Sequence, residues 1–266
     1  MDRRRLLAAL ATTGIAGCLG DGGSDPTATP ETTGTPETTA PPQTTGTPAA
    51  SQTPTSTAGD TPSATATETD APDTATPALG AVADHPAAAN LRAQPRRGEF
   101  GGHVVLAFED PSCVRCAAFH QRVVPEIRQN LVEPGKAAFV VRPYPVVYPW
   151  GDPASRALEA TFARDEATFW GLLAYYYRNR DRFGMDNVLR LTESFLAGTG
   201  VDQNAVVADV ESGAADEAVA ANVAAAEAAD LGRTTPVVLL FRDGQFVTSA
   251  NGSVSYTLIA NALGEA

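Results

Sequence analysis

From Asp21 to Ala78 the chain contains no Val, Ile, Leu, Phe, Tyr, Trp, Lys or Arg. The stretch is Thr, Pro, Ala, Ser and Gly with eight acidic residues and no basic one. It has almost nothing apolar to bury. It therefore cannot offset the entropy of ordering its backbone and is expected to stay disordered. Whatever folds must lie in the C-terminal part. That leaves about 185 residues, enough for one domain with its own core.

The ends of this stretch suggest what it connects. Arg3-Arg4-Arg5 is a charged start, Leu6 to Gly17 is a short apolar run, and Ile15-Ala16-Gly17-Cys18 closes it. Residues 1–17 thus read as an export signal. The apolar run is about a dozen residues, short of the roughly 20 needed to span a bilayer. Its last four residues resemble a lipobox, which implies a lipidated Cys18 as the mature N-terminus. The consecutive arginines resemble a twin-arginine signal. A chance basic start followed by a structural cysteine is the bland alternative, and it leaves the next 60 or so residues unexplained. Residues 18–82 then form a lipid-anchored tether with an expected end-to-end distance of roughly 45 Å. Thr and Ser mixed with Pro is also the composition of O-glycosylated stalks.

The formal net charge is −12, from 19 Lys+Arg and 31 Asp+Glu, so nucleic acid is excluded as a natural partner. Lys136 is the only lysine. An acid-rich, lysine-poor chain is what high salt favours; a high-GC coding bias is the alternative.

Cysteine usage narrows the chemistry. Beyond Cys18 there are only Cys113 and Cys116, in the run Cys113-Val114-Arg115-Cys116. The apolar segment His103 to Phe108 precedes them and has strand length. After them, Phe119, Val123, Ile127 and Leu131 recur at helical spacing, with Pro125 expected to kink the helix. A C-x-x-C pair at a strand-to-helix junction can open and close a disulfide. The helix N-terminus favours a thiolate on the first cysteine, and the second can attack a mixed disulfide made by the first. Zinc would need four ligands, and only His85, His103 and His120 could help. No metal or other cofactor is expected. A purely structural disulfide would close too short a loop to stabilise much.

Downstream, residues 137–142 form a second buried strand ended by Pro143 and Pro145. Asp152-Pro153 reads as an N-cap followed by Pro at the first helical position. Asp186 and Asp202 read as further N-caps, and an Ala-rich helix runs from Asp216 to Leu231. Residues 237–241 are a strand, Asp243-Gly244 a turn, and residues 245–247 its hairpin partner. Ser255 caps a last helix. The order strand, helix, strand, helical block, hairpin, helix is an α/β layer architecture with a helical insertion.

Three features together resemble the DsbA-like branch of the thioredoxin fold. They are Phe108-Glu109-Asp110-Pro111-Ser112-Cys113-Val114-Arg115-Cys116, the helical block between two sheet halves, and Gly232-Arg233-Thr234-Thr235-Pro236 before the hairpin. The resemblance covers about residues 100–264, within an expected domain 83–266. It implies a thiol–disulfide oxidoreductase with Cys113 and Cys116 as the redox pair. It also implies a cis peptide before Pro236, with the Thr235 backbone beside Cys113. Arg115 is expected to favour the Cys113 thiolate by its charge. Many thioredoxin-fold enzymes carry a buried acid six residues before the first cysteine, but that position here is Ala107. Glu109 or Asp110 is left as a candidate for proton transfer, against the plainer reading of solvated or capping acids at the strand end. Tyr144, Tyr148 and Trp150 are read as packing.

The implied enzyme would work on the outer face of the membrane, held by the lipid on Cys18. It would exchange disulfides with thiols of exported proteins and be recycled by a membrane redox partner. A redox-inactive peptide-binding module and a reductant supplier for metallocentre or cytochrome assembly are the competing readings. If Cys18 carries the anchor, Cys18→Ser should move the protein from the membrane fraction to the soluble one. Unchanged partition on cell fractionation would refute the anchor.

Overall fold

The structure, a computed structural model, describes residues 79–266. The expected export signal, Cys18 and the tether up to residue 78 lie outside the described residues. Val82 is already 1% exposed and packs with Leu91 and Phe108. The ordered part therefore reaches back before the expected boundary at 83.

Strand β1 (Arg96–Arg97) is a short edge piece. β2 (His103–Glu109) and β3 (Ala137–Pro143) are buried at every position, as parallel strands covered on both faces must be. They pair in parallel, with Val105 opposite Phe139 and Phe108 opposite Arg142. The crossover between them contains α1 (Val114–Arg122), α2 (Val124–Ile127) and a π-helical turn, Arg128–Val132. The break between α1 and α2 falls just before Pro125, where the ring forbids the interior hydrogen bond.

A helical block follows: α3 (Gly151–Phe162), α4 (Glu166–Arg178), α5 (Val188–Leu196), α6 (Gln203–Ser212) and α7 (Asp216–Ala228). The chain then returns as β4 (Val237–Arg242), β5 (Gln245–Asn251) and α8 (Tyr256–Leu263). The sheet order is β1-β3-β2-β4-β5, with β2 central and β4 antiparallel to it. Asp243 (φ 51°) and Gly244 (φ 81°) make the β4–β5 turn, the paired positive φ that a tight hairpin needs.

The alternation of β2 divides the core. Val105 and Ala107 face the redox helix, α8 and the helical block. Val104, Leu106 and Phe108 face α7 and the 3-10 turns around Val82 and Leu91. No helix among the described residues is long and apolar enough to cross a membrane.

Two expected helix starts are displaced. Asp152 is not a cap: α3 begins at Gly151, because the chain is already turning with Gly151 N on Tyr148 O at 2.9 Å. Asp152 instead pairs with Arg156 at 3.2 Å, and Pro153 is tolerated in a first turn whose amides lack partners anyway. Asp186 is not a cap either; Asn187 precedes α5 and accepts from Gly184 N at 2.9 Å. Asp202 and Ser255 do cap α6 and α8.

Ile127 is fully buried between the crossover and the sheet. Ile127→Ala should cost about 2–5 kcal/mol, whereas Asp202→Ala, which removes only a cap, should cost about 1 kcal/mol. Denaturant titration of both variants checks the order.

Candidate active site

β2 ends at Glu109, and the chain turns into α1 through Asp110-Pro111-Ser112, with Cys113 N donating to Asp110 O at 3.0 Å. Cys113 stands at the N-cap of α1 with extended backbone, φ −79° and ψ 124°. Cys116 follows within the first turn and packs into the core below. Both are free thiols. The Thr235–Pro236 peptide is cis, and the Cys113 thiol reaches Thr235 O at 3.4 Å. Resemblance alone had implied that juxtaposition.

A nucleophile at a helix start is expected to face solvent, but Cys113 is only 2% exposed, and Cys116 is fully buried. The fully buried Thr235 backbone lies over it. The two sulfurs nevertheless differ electrostatically. A hydrogen bond from the Cys116 thiol is the largest cause that lowers Cys113 to about 5, against the opposing effect of burial. Thr235 and the backbone amides of Cys116 and Arg115 lower it further. The Thr235 hydroxyl is itself buried without a well-aligned partner elsewhere. Cys116 is pushed well above the ordinary thiol range, first by burial, then by the proton it holds toward Cys113 and by the charge of Glu109.

Arg115 does not act as expected. Its side chain lies beside Gly252, and what it contributes to the Cys113 thiolate is its backbone amide. A side chain at the second intervening position of an exposed first turn points outward, where the nearest wall is the loop after β5.

Neither acid is solvated. Asp110 is fully buried and accepts from Ser112 N (2.7 Å), Ser112 Oγ (2.5 Å), Val146 N (2.7 Å) and Val147 N (2.7 Å). Ser112 Oγ in turn accepts from Tyr148 N at 3.1 Å. Asp110 thus ties the cysteine turn to the loop after β3, and its lone pairs are filled. Glu109 is 1% exposed and differently placed: its Oε2 takes the Tyr177 hydroxyl at 2.7 Å and lies 3.0 Å from His120 Nε2. Tyr177, Ser112 and Gly151 escaped sequence reasoning. A Cβ on Gly151 would collide with the Asp110 carboxylate and crowd Ser112 Oγ. His120, one turn past Cys116, was considered only as a metal ligand. Among the described residues no three of His, Cys, Asp and Glu are placed to hold a metal ion.

Tyr144 and Trp150 pack inside, but Tyr148 is 52% exposed. Val114 and Val147 are exposed as well, so apolar side chains of the cysteine turn and its neighbouring loop stand in solvent.

A family model described as Thioredoxin matches residues 98–256. Solved structures share the fold. BdbD from Bacillus subtilis (oxidised) is 16% identical, with a TM-score of 0.57 over 65% of this chain and 92% of that one. The thiol-disulfide exchange protein α-DsbA2 from Wolbachia pipientis is 16% identical, with a TM-score of 0.55 over 70% and 93%. The catalytic domain of Proteus mirabilis ScsC is 19% identical, with a TM-score of 0.54 over 70% and 96%. No curated protein matches significantly.

The shifted thiol has a measurable consequence. Cys113 falls from an ordinary value of 9.0 to about 5 on folding. A depressed acid stabilises the fold fully above its unfolded value, and that stability is lost as pH falls through the folded value. The reduced protein should therefore gain stability between pH 5 and 9 relative to Cys113→Ser. Its alkylation by iodoacetamide should follow an ionisation near pH 5. An inflection near the ordinary thiol value of 9.0 would contradict the geometry.

Proposed function

Because the chain belongs to the thioredoxin family, we propose that it is an extracytoplasmic thiol–disulfide oxidoreductase that oxidises cysteine pairs of exported proteins. The observation that carries this reading is the opposed pair of sulfurs beside the cis Thr235–Pro236 peptide. In the disulfide form, a client thiolate attacks the Cys113 sulfur, and the Cys113–Cys116 bond breaks. Cys116 leaves with the electron pair and takes a proton. A second client thiolate then attacks the client sulfur bonded to Cys113. The client disulfide forms, and Cys113 leaves as a thiolate.

Cys113 is a good leaving group because the anion is held by the Cys116 thiol and by helix amides. That stabilises the reduced enzyme and makes its disulfide oxidising. Exposed Val114, Val147 and Tyr148 offer apolar contact to an unfolded client segment. Export, lipidation of Cys18 and recycling by a membrane redox partner complete the proposal; they rest on the sequence at residues 1–18, and the tether gives the enzyme reach from the bilayer.

Cys116→Ala should accumulate mixed disulfides between Cys113 and client proteins, and Cys113→Ala should abolish both trapping and turnover. The reduction potential of the wild-type domain should lie above roughly −270 mV, the thioredoxin value. A potential at or below it would favour the reductant reading, and a dithiol peptide left unoxidised would favour a binding module.

A further inference from the structure

Each catalytic cycle requires a proton to reach or leave Cys116, yet that side chain is fully buried. The side toward the client is closed by Cys113 and Thr235. The proton needs another route, and the structure contains a row of polar groups leading elsewhere.

Glu109 is the first. Ala107 and Glu109 lie two residues apart on β2 and so share a face, the one turned toward α1. Moving an acid two places along a strand keeps it on the same side and shifts it by about 6.6 Å. Glu109 is close enough that its charge raises Cys116. Its Oε1 is buried with no hydrogen-bond partner, an expensive state for a carboxylate that serves only structure. Its Oε2 is held by the Tyr177 hydroxyl at 2.7 Å. Tyr177 is pushed well above the ordinary phenol range by burial and by Glu109, so it donates to the carboxylate and keeps its own proton.

His120 is the second. Its Nε2 lies 3.0 Å from Glu109 Oε2, though off the line of a formed hydrogen bond. Its ring packs at a tilt of 39° against Tyr177, with centroids 4.8 Å apart, which fixes its position. The side chain is 11% exposed and lines a surface pocket of about 250 Å³ with Arg97, Val124, Arg128, Trp170 and Ala174. The charged groups at this pocket are held by others: Arg97 lies 4.6 Å over the Trp170 ring and near Glu166, and Arg128 pairs with Glu133 at 3.0 Å. None of the pocket's residues belongs to the exposed rim of Val114, Val147 and Tyr148.

We propose that Glu109 and His120 form a proton path between the Cys116 sulfur and solvent, opening at the Arg97–Arg128–Trp170 pocket and separate from the client-facing side of the disulfide. When the client thiolate opens the Cys113–Cys116 bond, a proton passes from the His120 ring to the Glu109 carboxylate and on to the Cys116 thiolate, leaving Glu109 ionised as before. Water in the pocket then reprotonates His120. In the recycling direction Cys116 loses its proton by the same steps reversed. The path replaces the acid missing at Ala107. It rests on the oxidoreductase reading above.

The test uses the full mature chain. Opening of the disulfide by a dithiol peptide is followed in a single turnover for wild type, His120→Ala and Glu109→Gln, with and without imidazole. Both variants should open the disulfide about tenfold or more slowly at neutral pH, within the range of general acid–base effects. Alkylation of reduced Cys113 by iodoacetamide should stay within about twofold of wild type. Imidazole, which fits the vacated ring position, should restore His120→Ala and leave Glu109→Gln slow. An unchanged opening rate in either variant, a His120→Ala loss that imidazole does not repair, or alkylation that falls in parallel would overturn the path. Should His120→Ala not fold, Ala174→Phe narrows the pocket and leaves both relay groups in place: tenfold slowing supports the path, and an unchanged rate overturns it. A wild-type chain that exchanges no disulfide at all refutes the enzyme reading itself, whereas normal wild-type exchange with unaffected variants refutes only the path.

Discussion

The hydrogen bond from the Cys116 thiol to the Cys113 sulfur is the interaction on which the chemistry depends. It exists only when the disulfide is open, and it is the largest influence holding Cys113 as an anion. It also requires a donor that keeps its proton. Burial of Cys116 against β2 ensures that, because a thiolate there would lose its hydration. The helix start adds amides from Cys116 and Arg115, and Thr235 adds its side chain. The asymmetry of the pair is therefore made by packing depth across a single helical turn. The Arg115 guanidinium lies beside Gly252, and the contribution Arg115 makes to the thiolate is its backbone amide.

Two adjacent acids, one ending β2 and one just beyond it, do different work because they meet different partners. Glu109 turns toward α1 and meets Tyr177 and His120 on the Cys116 side. Asp110, already in the turn, collects four hydrogen bonds from the cysteine turn and the loop after β3. With its lone pairs filled, Asp110 fixes the geometry of the turn. Glu109 keeps one oxygen unpaired in the interior and is the one suited to proton movement. Gly151 belongs to the same construction, since its missing Cβ lets α3 begin directly against the Asp110 carboxylate.

The central strand explains why so few elements suffice. β2 is buried on both faces and presents its end to the helix start, while the neighbouring strand β4 is preceded by Thr235–Pro236. Nucleophile, resolving thiol and the segment that covers them are thus set by one strand and its immediate neighbours. The helical block supplies Tyr177 from α4 and closes the apolar core around Cys116.

The sequence by itself determined what local chemistry can specify. Helical spacing after Cys116, the Pro125 break, the caps Asp202 and Ser255 and the Asp243-Gly244 hairpin are all interactions over a few residues, so their signals are local. The same holds for the position of Cys113 at a helix start. The pairing of Cys113 with Thr235, 122 residues away, was legible only through family resemblance. What tertiary structure decided is how deep each group lies and what it meets there. The exposure of Cys113, the direction of Arg115, the burial of Glu109 and Asp110 and the exposure of Tyr148 all turned on that. Desolvation and hydrogen-bond satisfaction depend on neighbours from distant segments, here Tyr177 at 68 residues from Glu109. No local pattern encodes them.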